Sequence, residues 1–385
     1  MKRITRILIG ILFFSLIVAL AAGVMRRDEQ YARARLVALA DQATGFARAK
    51  GPRPLVFPAD HGPHPDYQTE WWYYTGNLET TDGQHFGYQL TFFRRALLPA
   101  AQRQDRPSEW AADQIYMAHL ALTDVDGRRY QAFERFSRGA AGLAGAQASP
   151  YRVWLEDWSV EGSGPDLYRM HAAAGDLALD LQLIDQKGPI LQGDRGYSQK
   201  GPETGNASYY YSLTRLASSG TVRVSDLTYQ VSGWSWMDHE FSTSALAPDQ
   251  VGWDWFSVQL DDGSDLMVFQ IRKADGSVDP FSSGTFITSG GGTRHLSHDE
   301  FEIRVSDTWR SSRSGATYPA RWIVNVPRAD IRLEIEPYLA DQELNVSYAY
   351  WEGAVRVRGE HAGRPVQGEG YVEMTGYANS MQGQF

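Results

Sequence analysis

The chain has no cysteine among its 385 residues. That excludes disulfides, thiolate metal sites, a cysteine nucleophile and the lipidated cysteine of a bacterial lipoprotein, while leaving the redox compartment open. Positive charge is not in surplus either: 37 Lys and Arg stand against 46 Asp and Glu, for a net charge of -9. Such a balance offers no field to a phosphate backbone, so nucleic acid is not an expected partner. The sequence also lacks a Gly-x-Ser-x-Gly elbow, a Gly-rich phosphate loop after a strand, a βαβ rhythm and a helix-spaced His pair. Hydrolase, nucleotide-binding and metalloenzyme readings therefore rank low, and no cofactor or metal is expected.

Long apolar runs are scarce as well, with one exception at the start. Lys2, Arg3 and Arg6 precede an uncharged run from Ile7 to Met25, which Arg26 and Arg27 close. The run approaches the ~20 residues of a spanning helix, so residues 1–27 read as a signal-anchor, with a cleaved signal peptide ending near Ala19-Leu20-Ala21 as the alternative. Either way the basic start stays in the cytoplasm and the body is expected in the periplasm, held at the inner membrane or released from it. Residues 28–54 form a tether, Ala- and Arg-rich with a short amphipathic helical stretch, which Gly51-Pro52-Arg53-Pro54 ends.

What the chain has in abundance is aromatic side chains: 12 Trp, 20 Tyr and 16 Phe. These favour pleated, half-buried surfaces and line apolar cavities. Apolar runs of strand length alternate with turns at Asp82-Gly83, Asp126-Gly127, Asp262-Gly263, Asp275-Gly276 and Gly290-Gly291-Gly292, the spacing of antiparallel hairpins. The body is therefore predicted to be all β.

Several landmarks recur in order. Trp71-Trp72-Tyr73-Tyr74 returns as Trp253-Asp254-Trp255-Phe256, Tyr209-Tyr210-Tyr211 pairs with Tyr348-Ala349-Tyr350, and Gly233-Trp234-Ser235-Trp236-Met237 with Gly370-Tyr371-Val372-Glu373-Met374. We read a duplication, with a first barrel over 55–246 and a second over 247–385; one large sandwich is the rival architecture.

The stretch Asp60-His61-Gly62-Pro63-His64-Pro65, leading into Thr69-Glu70-Trp71-Trp72-Tyr73 and then Phe86 to Arg94, resembles the AttH-like family, relatives of the CrtC carotenoid 1,2-hydratases. The likeness continues through Trp236-Met237-Asp238-His239-Glu240-Phe241, Gly252 to Phe256, Tyr350-Trp351-Glu352-Gly353 and Gly370 to Glu373. It implies two tandem lipocalin-like antiparallel β-barrels and a chemistry that includes hydration of an isoprenoid double bond, the work of a hydro-lyase. The chain departs from the hydratases at one point. Their Asp-His-x-Trp-Gly turn is followed by a strand with Tyr-x-Asp, where this sequence has Asp238-His239-Glu240-Phe241-Ser242 and Met267-Val268-Phe269-Gln270.

Protonating an alkene needs a strong acid, an aromatic wall for the cation and a base that delivers water. Asp238, His239 and Asp254 are the expected catalytic residues, placed in one shared cavity by the short connection between their strands. Glu70, Trp71, Trp72, Tyr74, Tyr209, Tyr211, Trp234, Trp236, Trp253, Trp255, Trp351 and Glu352 are the expected ligand-binding set. Glu70 and Arg94 read as a surface ion pair, and the Asp60 to Asp66 segment as a turn network or barrel plug in preference to a metal site. The ligand is an elongated apolar molecule, isoprenoid or lipid. A non-catalytic lipid carrier serving an inner-membrane ABC transporter is the alternative function.

Overall fold

The computed structural model describes residues 44–103, 108–164, 166–243 and 246–382. The expected membrane segment and the expected helical part of the tether lie outside them; from 44 to 54 the chain is turn, bend and irregular backbone. Among the described residues no helix is long and apolar enough to cross a membrane. Among the described residues helix is confined to single 3-10 turns such as Ala59–His61.

The first sheet comprises β1 (Thr69–Glu79), β2 (His85–Ala96), β3 (Gln114–Asp124), β4 (Arg129–Arg138), β5 (Ala144–Ala148), β6 (Tyr151–Leu155) and β7 (Trp158–Gly162). It continues with β8 (Leu167–Ala174), β9 (Leu177–Asp185), β10 (Pro189–Leu191), β11 (Tyr197–Gln199), β12 (Ala207–Val224) and β13 (Leu227–Ser242). The second holds β14 (Gln250–Leu260), β15 (Asp265–Lys273), β16 (Ser283–Ile287), β17 (Thr293–Ser297) and β18 (Glu302–Arg310). Its remaining strands are β19 (Thr317–Val326), β20 (Ile331–Pro337), β21 (Glu343–Asn345), β22 (Ala349–His361) and β23 (Arg364–Met374).

Both sheets are antiparallel and curl toward barrels, and their strand orders correspond. The first runs β4-β3-β2-β1-β13-β12-β9-β8-β7-β6-β5 and the second β17-β16-β15-β14-β23-β22-β20-β19-β18. In each, the first strand returns to pair with the last. The single-sandwich alternative is thereby set aside, because each half forms its own hydrogen-bonded sheet curled around its own apolar interior.

Register corrects two of the residue matches. Glu79 faces His85 at one hairpin tip and Gln259 faces Asp265 at the other, so Trp253 takes the place of Tyr73, not of Trp71. The face is unchanged, since a shift of two residues preserves the pleat. Gly83 and Gly263 both hold φ near +85° in these turns, a conformation glycine adopts without strain. In β12 a bulge between Leu213 and Leu216 moves the register by one. Leu213 then faces Met237 where Trp351 faces Met374, so Tyr348 corresponds to Tyr210 and not to Tyr209.

Burial follows from position. β9 (LALDLQLID) alternates buried apolar and exposed polar residues over most of its length, as a strand with one wet face should. β1 and the end of β13 are buried on both faces instead: one face lines the first barrel, the other meets the second sheet. That is why TEWWYYTGNL reads as a continuous aromatic run and not as an alternation.

The sheets are fastened together by a buried clamp. Asp265, at the tip of the β14–β15 hairpin, accepts from Lys187 Nζ (2.6 Å), Arg215 Nη2 (2.5 Å) and Thr214 Oγ1 (2.9 Å) of the first half. Asn77 Nδ2 donates to the Gly370 carbonyl (2.9 Å) and Gln259 Nε2 to that of Ser235 (3.0 Å).

Candidate active site

Side chains alternate along β13, so neighbours in sequence part company. Trp236, Asp238 and Glu240 point toward the second sheet, whereas Met237, His239 and Phe241 point into the first half. On the inter-sheet face Asp238 is fully enclosed. Its carboxyl accepts from Ser212 Oγ (2.5 Å), Trp236 Nε1 (2.7 Å) and Tyr210 Oη (2.7 Å). Tyr210 in turn accepts from Trp255 Nε1 across the interface (3.0 Å). Burial pushes the Asp238 carboxyl up to about 7, against the pull of its three donors and with help from the Glu240 charge.

Glu373, on β23, lies on the same face and accepts from Trp253 Nε1 (2.9 Å). Burial raises it to about 8, and the charges of Asp238 and Glu240 add to the effect. Glu352 faces Glu373 across the β22–β23 ladder. Burial and the Glu373 charge hold it well above the usual carboxylate range, although Tyr73 donates to its Oε2 (2.9 Å). Three acids, Asp238 and Glu352 buried and Glu373 half-buried, thus sit among Trp71, Tyr73, Tyr210, Trp236, Trp253, Trp255 and Tyr371. Both carboxyls are thus raised toward neutral pH, Asp238 to about 7 and Glu373 to about 8, which lets one face carry an acid and a base.

A second polar cluster lies inside the first barrel. Glu70 Oε1 accepts from His64 Nδ1 (2.7 Å) and His239 Nε2 (2.8 Å), and Oε2 from Arg94 Nε (2.8 Å). His64 also meets Asp60 (2.8 Å), which pairs with Arg53 (2.7 Å). With its Nε2–H given to Glu70, His239 presents a bare Nδ1 to Tyr211 Oη (3.1 Å), and Tyr211 accepts from His61 Nδ1 (2.7 Å). Burial works against the Glu70 charge, but Arg94 and the two histidines outweigh it and hold the carboxyl well below its ordinary range.

Among the described residues, His64, Glu70 and His239 are the group whose donor atoms lie close enough to hold a metal ion. Their contacts of 2.7 and 2.8 Å are hydrogen bonds, whereas ligands of one zinc ion stand roughly 3.3 Å apart. Arg94 already supplies the positive charge that Glu70 needs. The geometry is that of an ion-pair network pinning the Ala59–His61 turn into the barrel. The surface pair expected for Glu70 and Arg94 is thus corrected: both are buried, because His64, His239 and the His64 and Tyr67 carbonyls complete their bonding.

The AttH-like family matches over residues 48–377. The chain belongs to the AttH-like family. A crystal structure described as an AttH from Nitrosomonas europaea is 38% identical, with 86% of this chain and 100% of that chain covered and a TM-score of 0.77. Kievitone hydratase from Nectria haematococca shares the fold at 15% identity, covering 87% and 98% of the two chains with a TM-score of 0.64. A comparison with curated proteins finds no match.

In this AttH-like chain the expected site residues divide among several places. Asp238, Trp71, Trp236, Trp253, Trp255 and Glu352 meet on the inter-sheet face. His239, Glu70, Trp72, Tyr74 and Tyr211 line the first barrel, where Trp72 stacks on His239 with centroids 4.8 Å apart. Asp254 points the other way from Trp253 and Trp255, to Arg272 (3.1 Å) and Tyr377 (3.1 Å). Trp351 packs in the second core against Trp322. Tyr209 bonds the Gly51 carbonyl (2.9 Å), and Trp234 is part exposed, with Arg215 over its ring. The shared cavity of Asp238, His239 and Asp254 is therefore not formed, because adjacent strand residues cannot face the same side. Sequence reasoning missed Tyr210, Ser212 and Glu373. The repeat carried a signal for the last of these: Glu373 occupies the position of Trp236, a charge where the other half buries an indole.

Proposed function

We propose that the chain binds an elongated apolar molecule, an isoprenoid or related lipid, between its two sheets and adds water across one of its carbon–carbon double bonds. The observation that carries this reading is the pairing of Asp238 and Glu373, a buried and a half-buried carboxyl, both raised toward neutral pH and each hydrogen-bonded by an indole of the aromatic wall. Glu373 supplies a proton to one alkene carbon, leaving a tertiary cation that the indole faces stabilise. Water attacks the cationic carbon and gives up a proton to the Asp238 carboxylate, and return of that proton to Glu373 resets the pair. The sum is addition of one water, with no redox partner. A neighbour of the same fold is named as a hydratase, which makes hydration the first reaction to test.

The test is incubation of the purified chain with a prenyl alkene in ¹⁸O-labelled water, followed by mass spectrometry of the product. One labelled oxygen per turnover is expected. Asp238→Asn and Glu373→Gln should each lower turnover at least 100-fold while ligand affinity stays within about tenfold. Tight binding with no labelled product in the wild type sinks the hydratase reading and favours the lipid carrier.

A further inference from the structure

The inter-sheet face also carries polar atoms that the protein leaves without partners. Glu352 Oε1, Tyr371 Oη and Gln89 Oε1 are buried and make no hydrogen bond among the described residues. The remaining polar atoms of Glu352 and Gln89 are engaged, by Tyr73 and Thr91. A buried unpaired group is costly, and native interiors keep few of them. Three on one face mark a place where something outside the chain completes the bonding.

Register brings them together. Glu352 stands opposite Glu373, and Tyr371 is the next residue along β23 on the same face. Tyr73, which bonds Glu352, faces Thr91 on β2, and Gln89 is the next residue on that side. The charge in the surroundings is of one sign: Asp238, Glu240 and Glu373 line the same face, and the lysine that reaches it, Lys200, is paired with Glu240 at 3.3 Å. Among the described residues an anionic head group would find no unpaired cation on this face to offset the loss of its hydration.

We infer that Glu352, Tyr371 and Gln89 form a polar subsite that takes an uncharged oxygen function, a hydroxyl or carbonyl, on an elongated apolar ligand, and that it rejects carboxylates and phosphates. A carboxyl and a phenol donate and the Gln89 carbonyl oxygen accepts, so both kinds of neutral oxygen are served. This inference rests on the reading that the face binds a ligand, and the experiment separates the two. Binding of geranylgeraniol, methyl geranylgeranoate and geranylgeranoic acid, which share one carbon skeleton, is followed by quenching of Trp fluorescence at pH 7.5. The alcohol and the ester should bind at least tenfold tighter than the acid. Glu352→Leu should reduce the advantage of the alcohol to threefold or less, while Glu352→Gln should keep it. Equal affinity for acid and alcohol overturns the subsite and leaves the ligand reading standing. An alcohol preference unchanged in Glu352→Leu shows that the orphan atoms hold water only, and overturns it too. If none of the three binds, both readings fall. Should Glu352→Leu not fold, the comparison of acid with alcohol and ester on the wild type still decides.

Discussion

Enclosure pushes the carboxyls of Asp238 and Glu70 in the same direction, upward, and they end on opposite sides of the ordinary range because different partners reach them. Glu70 meets a guanidinium and two imidazoles, so its charged form is favoured. Asp238 meets only neutral donors, so loss of hydration prevails and its carboxyl rises from 3.8 to about 7. The consequence for stability has a definite sign. An acid raised in the folded state supports the fold fully below its unfolded value and loses that contribution as pH climbs through the folded one. Against Asp238→Asn, which stays neutral, the wild type should therefore lose about 1.4 kcal/mol of relative stability per pH unit between about 4 and about 7, then level off. Urea unfolding of both proteins across that range measures it, and a difference that does not move with pH would show that Asp238 remains ionised when folded. The sequence put Asp238 beside Trp236 correctly, since i and i+2 share a face. For Glu373, which reaches the same face from a strand more than a hundred residues away, it offered only the repeat match with Trp236.

Strands and turns were legible because their signals are local. Asp-Gly pairs mark the tips of β1–β2 and β14–β15, and the apolar periodicity of β9 shows which face is buried. Where both faces of β1 and β13 are covered, periodicity vanishes, and nothing in Trp71-Trp72-Tyr73-Tyr74 tells which ring enters the barrel and which meets the other sheet. The run Tyr209-Tyr210-Tyr211 was equally ambiguous, since three identical residues in a row do not tell which one corresponds to Tyr348. The Asp60 to His64 segment behaved as a plug held by turn and ion-pair bonds, but its anchors Glu70, Arg94 and His239 come from three different strands. Arg94 is central to that anchor, since it bonds Glu70 and the carbonyls of His64 and Tyr67 (2.8 and 2.9 Å). Arg94→Met should leave Glu70 charged and short of a partner, at a cost of about 3–5 kcal/mol in unfolding free energy. Arg94→Lys should recover only part of it, because an ammonium cannot reproduce the fork of donors. A loss below about 1 kcal/mol in Arg94→Met would mean that the two histidines alone satisfy Glu70.

The molecule has two sheets of corresponding strand order, yet what it builds from them is a third environment that neither half holds alone. Asp238 and Tyr210 come from the first sheet, Glu373, Trp253 and Trp255 from the second, and the acids keep their raised proton affinity only while the sheets exclude water together. The site therefore depends on the fastening between halves, and Asp265 is its most heavily bonded point. Lys187 and Arg215 bury their charges against it, at 2.6 and 2.5 Å, and Thr214 adds a third donor. Asp265→Asn removes the counter-charge while leaving the shape, so two part-buried cations lose their partner, at a cost of about 3–5 kcal/mol. Because the loss falls on the interface and not within either core, it should act on cooperativity as well as on stability. The wild type should unfold in one calorimetric transition. Asp265→Asn should unfold in two, with the quenching of Trp236 and Trp255 fluorescence by a bound ligand disappearing in the first. A single transition displaced downward would instead show that each half requires the other to remain folded, and that the inter-sheet face is a core shared by one cooperative unit.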